Sequence, residues 1–186
     1  MRMFVAVVPP PEVLEDLAAY VEPRQDVDSP LRWAAPESWH LTLAFMESVA
    51  EYTLDDLTER LTRAAHRRHS FDVQLAHAGT FPNPARAKVL WIGVRGDTEH
   101  LSQLAVGARA AAAKSGNEVD GAKYRAHLTL ARLARPVDVT RWLRVFDAYT
   151  GPSWRVTEIE LIESHLGQGP RGRPRYQTVD TFALGE

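Results

Sequence analysis

The sequence predicts an α+β protein made of two similar halves. The tetrapeptide His-Leu-Thr-Leu stands at positions 40–43 and again at 127–130, 87 residues apart, and alanine follows both copies. Runs of alternating or continuous apolar residues, typical of strands, are interspersed with apolar stripes at helical spacing. The order strand, helix, histidine-bearing strand, helix, strand occurs twice, which indicates an internal repeat. We therefore expect one bilobal domain over 1–186, with halves of about 1–86 and 87–186 whose strands may cross between lobes.

The first half begins with a buried strand over 3–8, which is continuously apolar and is ended by three prolines. A helix is predicted to open at Pro11, since proline is tolerated in a first helical turn. A polar loop over 23–30, the first motif strand over 39–45, a helix capped by Thr53 and an alternating strand over 71–78 follow. Alternation in that strand predicts that His77 is partly buried and hydrogen-bonded. The segment 79–86, rich in glycine and proline, is expected to be a loop.

The second half repeats this order. A strand over 88–94 precedes a helix that Asp97 should cap and that runs to about Lys114, with Gly116 ending it. The second motif strand covers 125–131, and Asp138 is expected to cap the next helix. The remaining elements are an alternating strand over 154–162, a Gly/Pro/Arg-rich loop over 167–174 and a last strand over 175–184.

Composition excludes several classes of protein. Hydrophobic residues make up 45% of the chain and charged residues 25%, with a formal net charge of −2, so whole-molecule attraction to nucleic acid is not expected. The absence of cysteine excludes disulfides, thiolate catalysis and cysteine-ligated zinc. The apolar run at the start is too short for a signal peptide or a membrane span. These features predict a soluble, cytoplasmic protein.

The two motifs carry groups suited to acid–base chemistry. Side chains on a strand alternate between faces, so in each copy histidine and threonine share one face while the leucines enter the core. A pair of histidines can supply a general base and a general acid in one turnover, as attack on phosphorus requires. Threonine hydroxyls can donate to the non-bridging oxygens, so no metal is needed. A single such motif is usually an ordinary half-exposed strand, but two identical copies in a duplicated frame favour catalysis.

These motifs resemble the two-histidine (2H) phosphoesterase superfamily, and most closely its RNA 2′,3′-cyclic phosphodiesterases, also called 2′-5′ RNA ligases. The resemblance covers nearly the whole chain. Besides both motifs it includes the segments 1–6, 31–33, 79–82, 89–94 and 163–166, and Tyr176. Two departures concern local turns: Met46-Glu47 stands where an apolar residue and glycine are frequent, and Ala126 stands where proline is usual.

The resemblance implies two pseudo-symmetric lobes of mainly antiparallel sheet, with outer helices around a central cleft and one motif from each lobe. It implies hydrolysis of an RNA or nucleotide 2′,3′-cyclic phosphate to a 2′-phosphomonoester, without cofactor. It implies His40 as proton donor and His127 as proton acceptor, although the identical copies do not separate these roles. Thr42 and Thr129 would bind the phosphate. Three alternatives remain open: 2′-5′ ligation of RNA, action on another small cyclic phosphate, or a non-catalytic nucleotide- or RNA-binding module.

Further residues are candidates for substrate contact. Arg125 should share the face of His127 and could contact the substrate. Alternatively, it is a solvated charge at the end of the strand. Strict alternation places Arg132 on the leucine face. However, in the family that the motifs resemble, an arginine at this position contacts the substrate. Phe81 could stack on a base or anchor its loop. The expected partners are RNA ends or nucleotides, and a monomer is the favoured oligomeric state. Three loop arginines could bind an RNA backbone: Arg171, Arg173 and Arg175.

Overall fold

The computed structural model describes residues 1–25 and 28–186, and its regular elements are four α-helices and nine strands within those ranges. In chain order they are β1 (Met3–Val7), α1 (Pro11–Val21), β2 (Arg32–Trp33), β3 (Leu41–Met46), α2 (Leu54–His66), β4 (Phe71–Phe81), β5 (Ala87–Gly96), α3 (Thr98–Lys114), β6 (His127–Val137), α4 (Thr140–Asp147), β7 (Thr150–Val156), β8 (Glu158–His165) and β9 (Arg175–Ala183). Of the described helices, none is long and apolar enough to cross a membrane.

The strands form two antiparallel sheets. The first sheet has the order β3-β1-β8-β9 and the second has the order β2-β6-β5-β4-β7. Helices α2 and α3 pack together and against the first sheet, whereas α1 and α4 pack against the second. This arrangement confirms the predicted α+β class with antiparallel sheets and outer helices. Each sheet carries one copy of the motif, on β3 and at the start of β6, and these two strands are in contact.

The two halves of the chain exchange strands. Strand β4, from the first half, pairs with β5 and β7 in the second sheet, while β8 and β9, from the second half, extend the first sheet beside β1. The strand predicted over 154–162 is in fact two strands, because the chain leaves one sheet for the other at Thr157. The alternation changes phase at this crossing: Val156 and Ile159 are buried, whereas Thr157 and Glu158 between them are both exposed.

The leucines of both motifs belong to the core. Leu41, Leu43, Leu128 and Leu130 are fully buried, on the face of each strand opposite the histidine. Each such side chain contributes about 1.5–3 kcal/mol when it is removed from water. The leucine face therefore secures the register of the motif strands and fixes which way the histidine and threonine point.

Strand β3 contains a β-bulge directly after its motif threonine. Thr42 is opposite Ala6, but Ala44 is opposite Val5, so Leu43 is an extra residue on its strand. Leu43 and Ala44 are consequently both buried, and the alternation changes phase. As a result, Phe45 faces the same side as Thr42.

Strand β6 has the same bulge at the equivalent place. Thr129 is opposite Trp91 and Ala131 is opposite Leu90, which leaves Leu130 as the extra residue. Leu130 and Ala131 are both buried and Arg132 is exposed. Arg132 thus lies on the face of the histidine and threonine, so the placement expected from strict alternation is wrong and the bulge is the physical reason.

Some local predictions also differ from the structure. Strand β4 continues to Phe81, so the loop predicted over 79–86 begins later than expected. A bulge at Ala76 and His77 leaves His77 at φ 64°, and its side chain is exposed, so the prediction of a partly buried His77 is wrong. The Thr53 hydroxyl donates to the Ala50 carbonyl at 2.7 Å and does not cap its helix.

Candidate functional site

His40 lies between a short 3₁₀ turn, Pro36–Ser38, and strand β3. Its Nδ1 is 2.7 Å from the carbonyl oxygen of Ser38, and its Nε2 is 2.9 Å from the hydroxyl oxygen of Thr42. Because a carbonyl oxygen only accepts, Nδ1 carries the proton of the neutral ring and donates to Ser38. The Nε2 atom is then left as the acceptor of the Thr42 hydroxyl, and it is the atom available for proton exchange.

Aromatic side chains surround the ring of His40. Phe4 stacks on it with centroids 4.5 Å apart, and Tyr176 contacts it edge-on at 5.5 Å. Phe4 and Tyr176 belong to a small apolar cluster on the same face of the first sheet, which also contains Ala6, Phe45 and Ile162. Burial lowers the pKa of His40 from 6.5 to about 4, in spite of the opposing hydrogen bond to Ser38. The imidazole is therefore neutral at pH 7 in the ligand-free protein.

His127 is held in the same manner on the other sheet. Its Nδ1 is 2.7 Å from the carbonyl oxygen of Arg125, so here too Nδ1 donates and Nε2 is free for proton exchange. The ring of Phe81 meets it edge-on at 4.9 Å, and that of Trp91 lies 6.0 Å away. Burial is the main cause of a lowered pKa for His127, and the positive charges of Arg132 and Arg125 lower it further.

The two histidines share one electrostatic environment. His127 lowers the pKa of His40, and Arg132 lowers the pKa of both rings. The pKa of Tyr176 is raised by burial, while Arg132 acts on it in the opposite direction. Strands β3 and β6 are in contact, Tyr176 packs against His40, and the bulge in β6 puts Arg132 on the face of His127, so these groups lie together where the two motif strands meet.

The other predicted residues lie around this site as well. Thr42 and Thr129 are half-buried on the histidine faces of their strands. Arg125 is exposed, and its guanidinium lies over the ring of Trp91 at 5.1 Å from the centroid. Phe81 ends strand β4 and packs against Trp91 at 5.3 Å, so it contacts other site residues and does not stand on a separate loop.

Comparisons with known proteins agree with this geometry. The sequence model of the 2′-5′ RNA ligase superfamily matches residues 7–168, which is most of the chain. The chain belongs to the 2′-5′ RNA ligase superfamily. It is 31% identical over 183 residues to the RNA 2′,3′-cyclic phosphodiesterase of Archaeoglobus fulgidus, covering 98% of this chain and 99% of that protein. It is 32% identical over 192 residues to the protein of the same name from Thermus thermophilus, covering 99% and 90%.

Solved structures extend the similarity to three dimensions. LigT of Escherichia coli in complex with 3′-AMP superposes with a TM-score of 0.81 at 29% identity, covering 100% of this chain and 98% of that one. TT0787 of Thermus thermophilus superposes with a TM-score of 0.79 at 30% identity, with both chains fully covered. This member of the 2′-5′ RNA ligase superfamily therefore has the fold of LigT along its whole length.

In this superfamily member, three site residues were not identified as such from the sequence: Phe4, Trp91 and Tyr176. The ring of Trp91 packs against His127. It also lies directly over Gly79, where an added Cβ would come within 2.1 Å of a ring carbon. A glycine inside an apolar strand is a sign of such close approach, and this signal was available from the sequence. Phe4 and Tyr176 gave no comparable signal, because their contact with His40 depends on strand pairing.

Arg171 and Arg173 lie on the turn between β8 and β9, and Arg175 is the first residue of β9. The Arg175 guanidinium donates to the side-chain oxygen of Gln168 at 3.2 Å, and Arg171 adopts φ 58°. None of the contacts described for these arginines joins them to the histidines, so an RNA-gripping role for them stays a prediction. Over the described residues, no group of three or more His, Asp or Glu side chains is arranged to hold a metal ion.

Proposed function

We propose that this superfamily member hydrolyses a terminal 2′,3′-cyclic phosphate on RNA or a nucleotide to a 2′-phosphomonoester. One observation carries the proposal: two imidazoles of the same tautomer, each with an unprotonated Nε2, lie on contacting motif strands, with Arg132 on the same face as His127. A pair of proton-exchanging groups beside a cation suits displacement at an anionic phosphorus centre. The names of the relatives and the 3′-AMP complex of LigT support the same substrate class.

The reaction uses the two histidines at opposite ends of an in-line displacement. The Nε2 atom of His127 takes a proton from water as the water oxygen bonds to phosphorus. The bond from phosphorus to O3′ breaks, and His40 gives a proton to O3′, which leaves a 3′-hydroxyl and a 2′-phosphate. Thr42 and Thr129 donate hydrogen bonds to the non-bridging oxygens, whose negative charge Arg132 stabilises.

This assignment places a condition on His40. A proton donor must be protonated when the reaction starts, whereas burial holds the pKa of free His40 at about 4. The negative charge of a bound phosphate favours the imidazolium, because an opposite charge nearby raises a histidine pKa. Substrate binding is therefore coupled to proton uptake at His40.

Product analysis tests the proposal. The protein is incubated with an oligonucleotide ending in a 2′,3′-cyclic phosphate, with a chelator present, and the position of the remaining phosphate is determined. We expect a 2′-phosphate and a 3′-hydroxyl. Binding of the oligonucleotide without any turnover would instead support a non-catalytic module and contradict the proposal.

Two variants and a matched control test whether the motif histidines take part in the reaction. His40→Ala and His127→Ala should each lower turnover by a factor on the order of 10²–10⁴. His66→Ala, at an exposed position at the end of α2, should keep the wild-type rate. Wild-type rates in either motif variant would remove that histidine from the mechanism.

A further inference from the structure

A second arginine stands directly across from Arg132. In the antiparallel pairing of β2 with β6, Arg32 is opposite Arg132 and Trp33 is opposite Ala131. Residues directly opposite on antiparallel strands project from the same face. Because the bulge places Arg132 on the histidine face of β6, Arg32 lies on that face too, and the burial of Trp33 and Ala131 on the other face agrees.

The electrostatics of this arginine pair are unfavourable without a ligand. Like charges directly opposite on neighbouring strands destabilise a sheet. Both side chains are exposed, and within 1–25 and 28–186 neither guanidinium makes a hydrogen bond or an ion pair with a carboxylate. Two uncompensated guanidinium groups on one face are suited to an anion, since arginine binds phosphate through paired N–H donors.

An anion bound to Arg32 would be a different group from the reacting phosphate, because Arg32 lies farther from the histidines. Arg132 is on the motif strand itself, whereas Arg32 is on the edge strand β2, one strand farther from His127. A group bound at Arg32 is thus beside the reacting phosphate and separate from it. In an RNA chain, the group in that relation to a terminal cyclic phosphate is the phosphodiester on the 5′ side of the last nucleotide.

We propose that Arg32 forms a second phosphate subsite that holds the phosphodiester preceding the terminal nucleotide, so that the site favours RNA ends over mononucleotides. This inference rests on the proposed function, because it takes the histidine site as the position of the terminal phosphate. It assigns Arg32 to substrate selection and not to the chemical step.

The test compares two substrates that differ by this one phosphodiester. We measure kcat/KM for a dinucleotide ending in a 2′,3′-cyclic phosphate and for a nucleoside 2′,3′-cyclic monophosphate. Arg32→Gln should lower the dinucleotide value about tenfold, as expected for loss of a charge-assisted hydrogen bond, and the mononucleotide value no more than about twofold. Arg67→Gln, an exposed arginine outside the site, should change neither value. Equal losses on both substrates, or no loss on either, would overturn the subsite.

A binding measurement keeps this test independent of turnover. Affinity for a 2′-O-methylated dinucleotide with a 3′-phosphate is followed by fluorescence anisotropy at several salt concentrations. In Arg32→Gln the affinity should fall about tenfold, and the slope of log K against log salt should become shallower because one screened charge contact is lost. An unchanged slope and affinity would refute the subsite, and would do so whether or not the wild-type protein hydrolyses cyclic phosphates. Absence of hydrolysis with a reduced slope would instead refute the proposed function alone.

Discussion

The half-buried imidazole of His40 couples the stability of the fold to pH. Its pKa is lowered to about 4 in the folded protein, chiefly by burial, and it titrates near 6.5 in an unfolded chain. Between these values the unfolded chain binds a proton that the folded protein does not bind. The free energy of unfolding must therefore decrease as pH falls from 6.5 towards 4.

The size of the effect follows from the shift. One pKa unit corresponds to about 1.4 kcal/mol, so at pH 5, which is 1.5 units below 6.5, His40 should remove about 2 kcal/mol of stability. The loss should approach about 3 kcal/mol near pH 4. These amounts are a large fraction of the roughly 5–15 kcal/mol that stabilise an ordinary protein.

Urea unfolding at pH 7 and pH 5 measures this contribution. Carboxylates also titrate in this range, so the informative quantity is the difference between the wild-type protein and His40→Gln, which keeps them. The wild-type protein should lose about 2 kcal/mol more than His40→Gln on going to pH 5. His66→Gln, which replaces an exposed histidine, should behave like the wild-type protein. If His40→Gln lost as much stability as the wild-type protein, burial would not control this histidine and the reasoning would fail.

Two further predictions concern the surroundings of the histidines. The positive charge of Arg132 lowers the pKa of both imidazoles, so Arg132→Gln should raise both pKa values and move the pH–rate profile to higher pH, besides slowing turnover; an unshifted profile would show that Arg132 is too distant to act on them. Gly79→Ala places a Cβ 2.1 Å from the tryptophan ring above it and should cost about 1–3 kcal/mol in urea unfolding. Gly107→Ala, on helix α3, places its Cβ 3.7 Å from the nearest atom, the Cβ of Ala64 on α2, and should not destabilise the protein; equal costs at the two glycines would refute the packing argument.

The amino-acid sequence allowed the fold class and the pair of motif histidines to be predicted. Alternation along each motif correctly separated the leucines from the histidine and threonine, because one face of each strand must be buried. The repeated order of elements predicted two similar halves, and the resemblance to the two-histidine phosphoesterases implied that each lobe would carry one motif. Those are local properties, and local patterns report them well.

Long-range pairing decided the rest of the site. The bulge after each motif depends on the register with β1 and β5, and it alone brings Arg132 to the histidine face. The position of β4 in the second sheet, where it pairs with β5, likewise places Phe81 beside His127. Neither effect has a period that a sequence can display.

What the sequence by itself determined is therefore the buried face of each motif strand and the histidine and threonine side chains that the opposite face presents. What only the tertiary structure decided is their setting: the stacking of Phe4 on the half-buried His40, the contact of Trp91 with His127, and the pairing of Arg32 with Arg132. The physical reason is that burial is imposed residue by residue through hydrophobic patterning, whereas proximity between strands distant in sequence is set only when the sheets have paired.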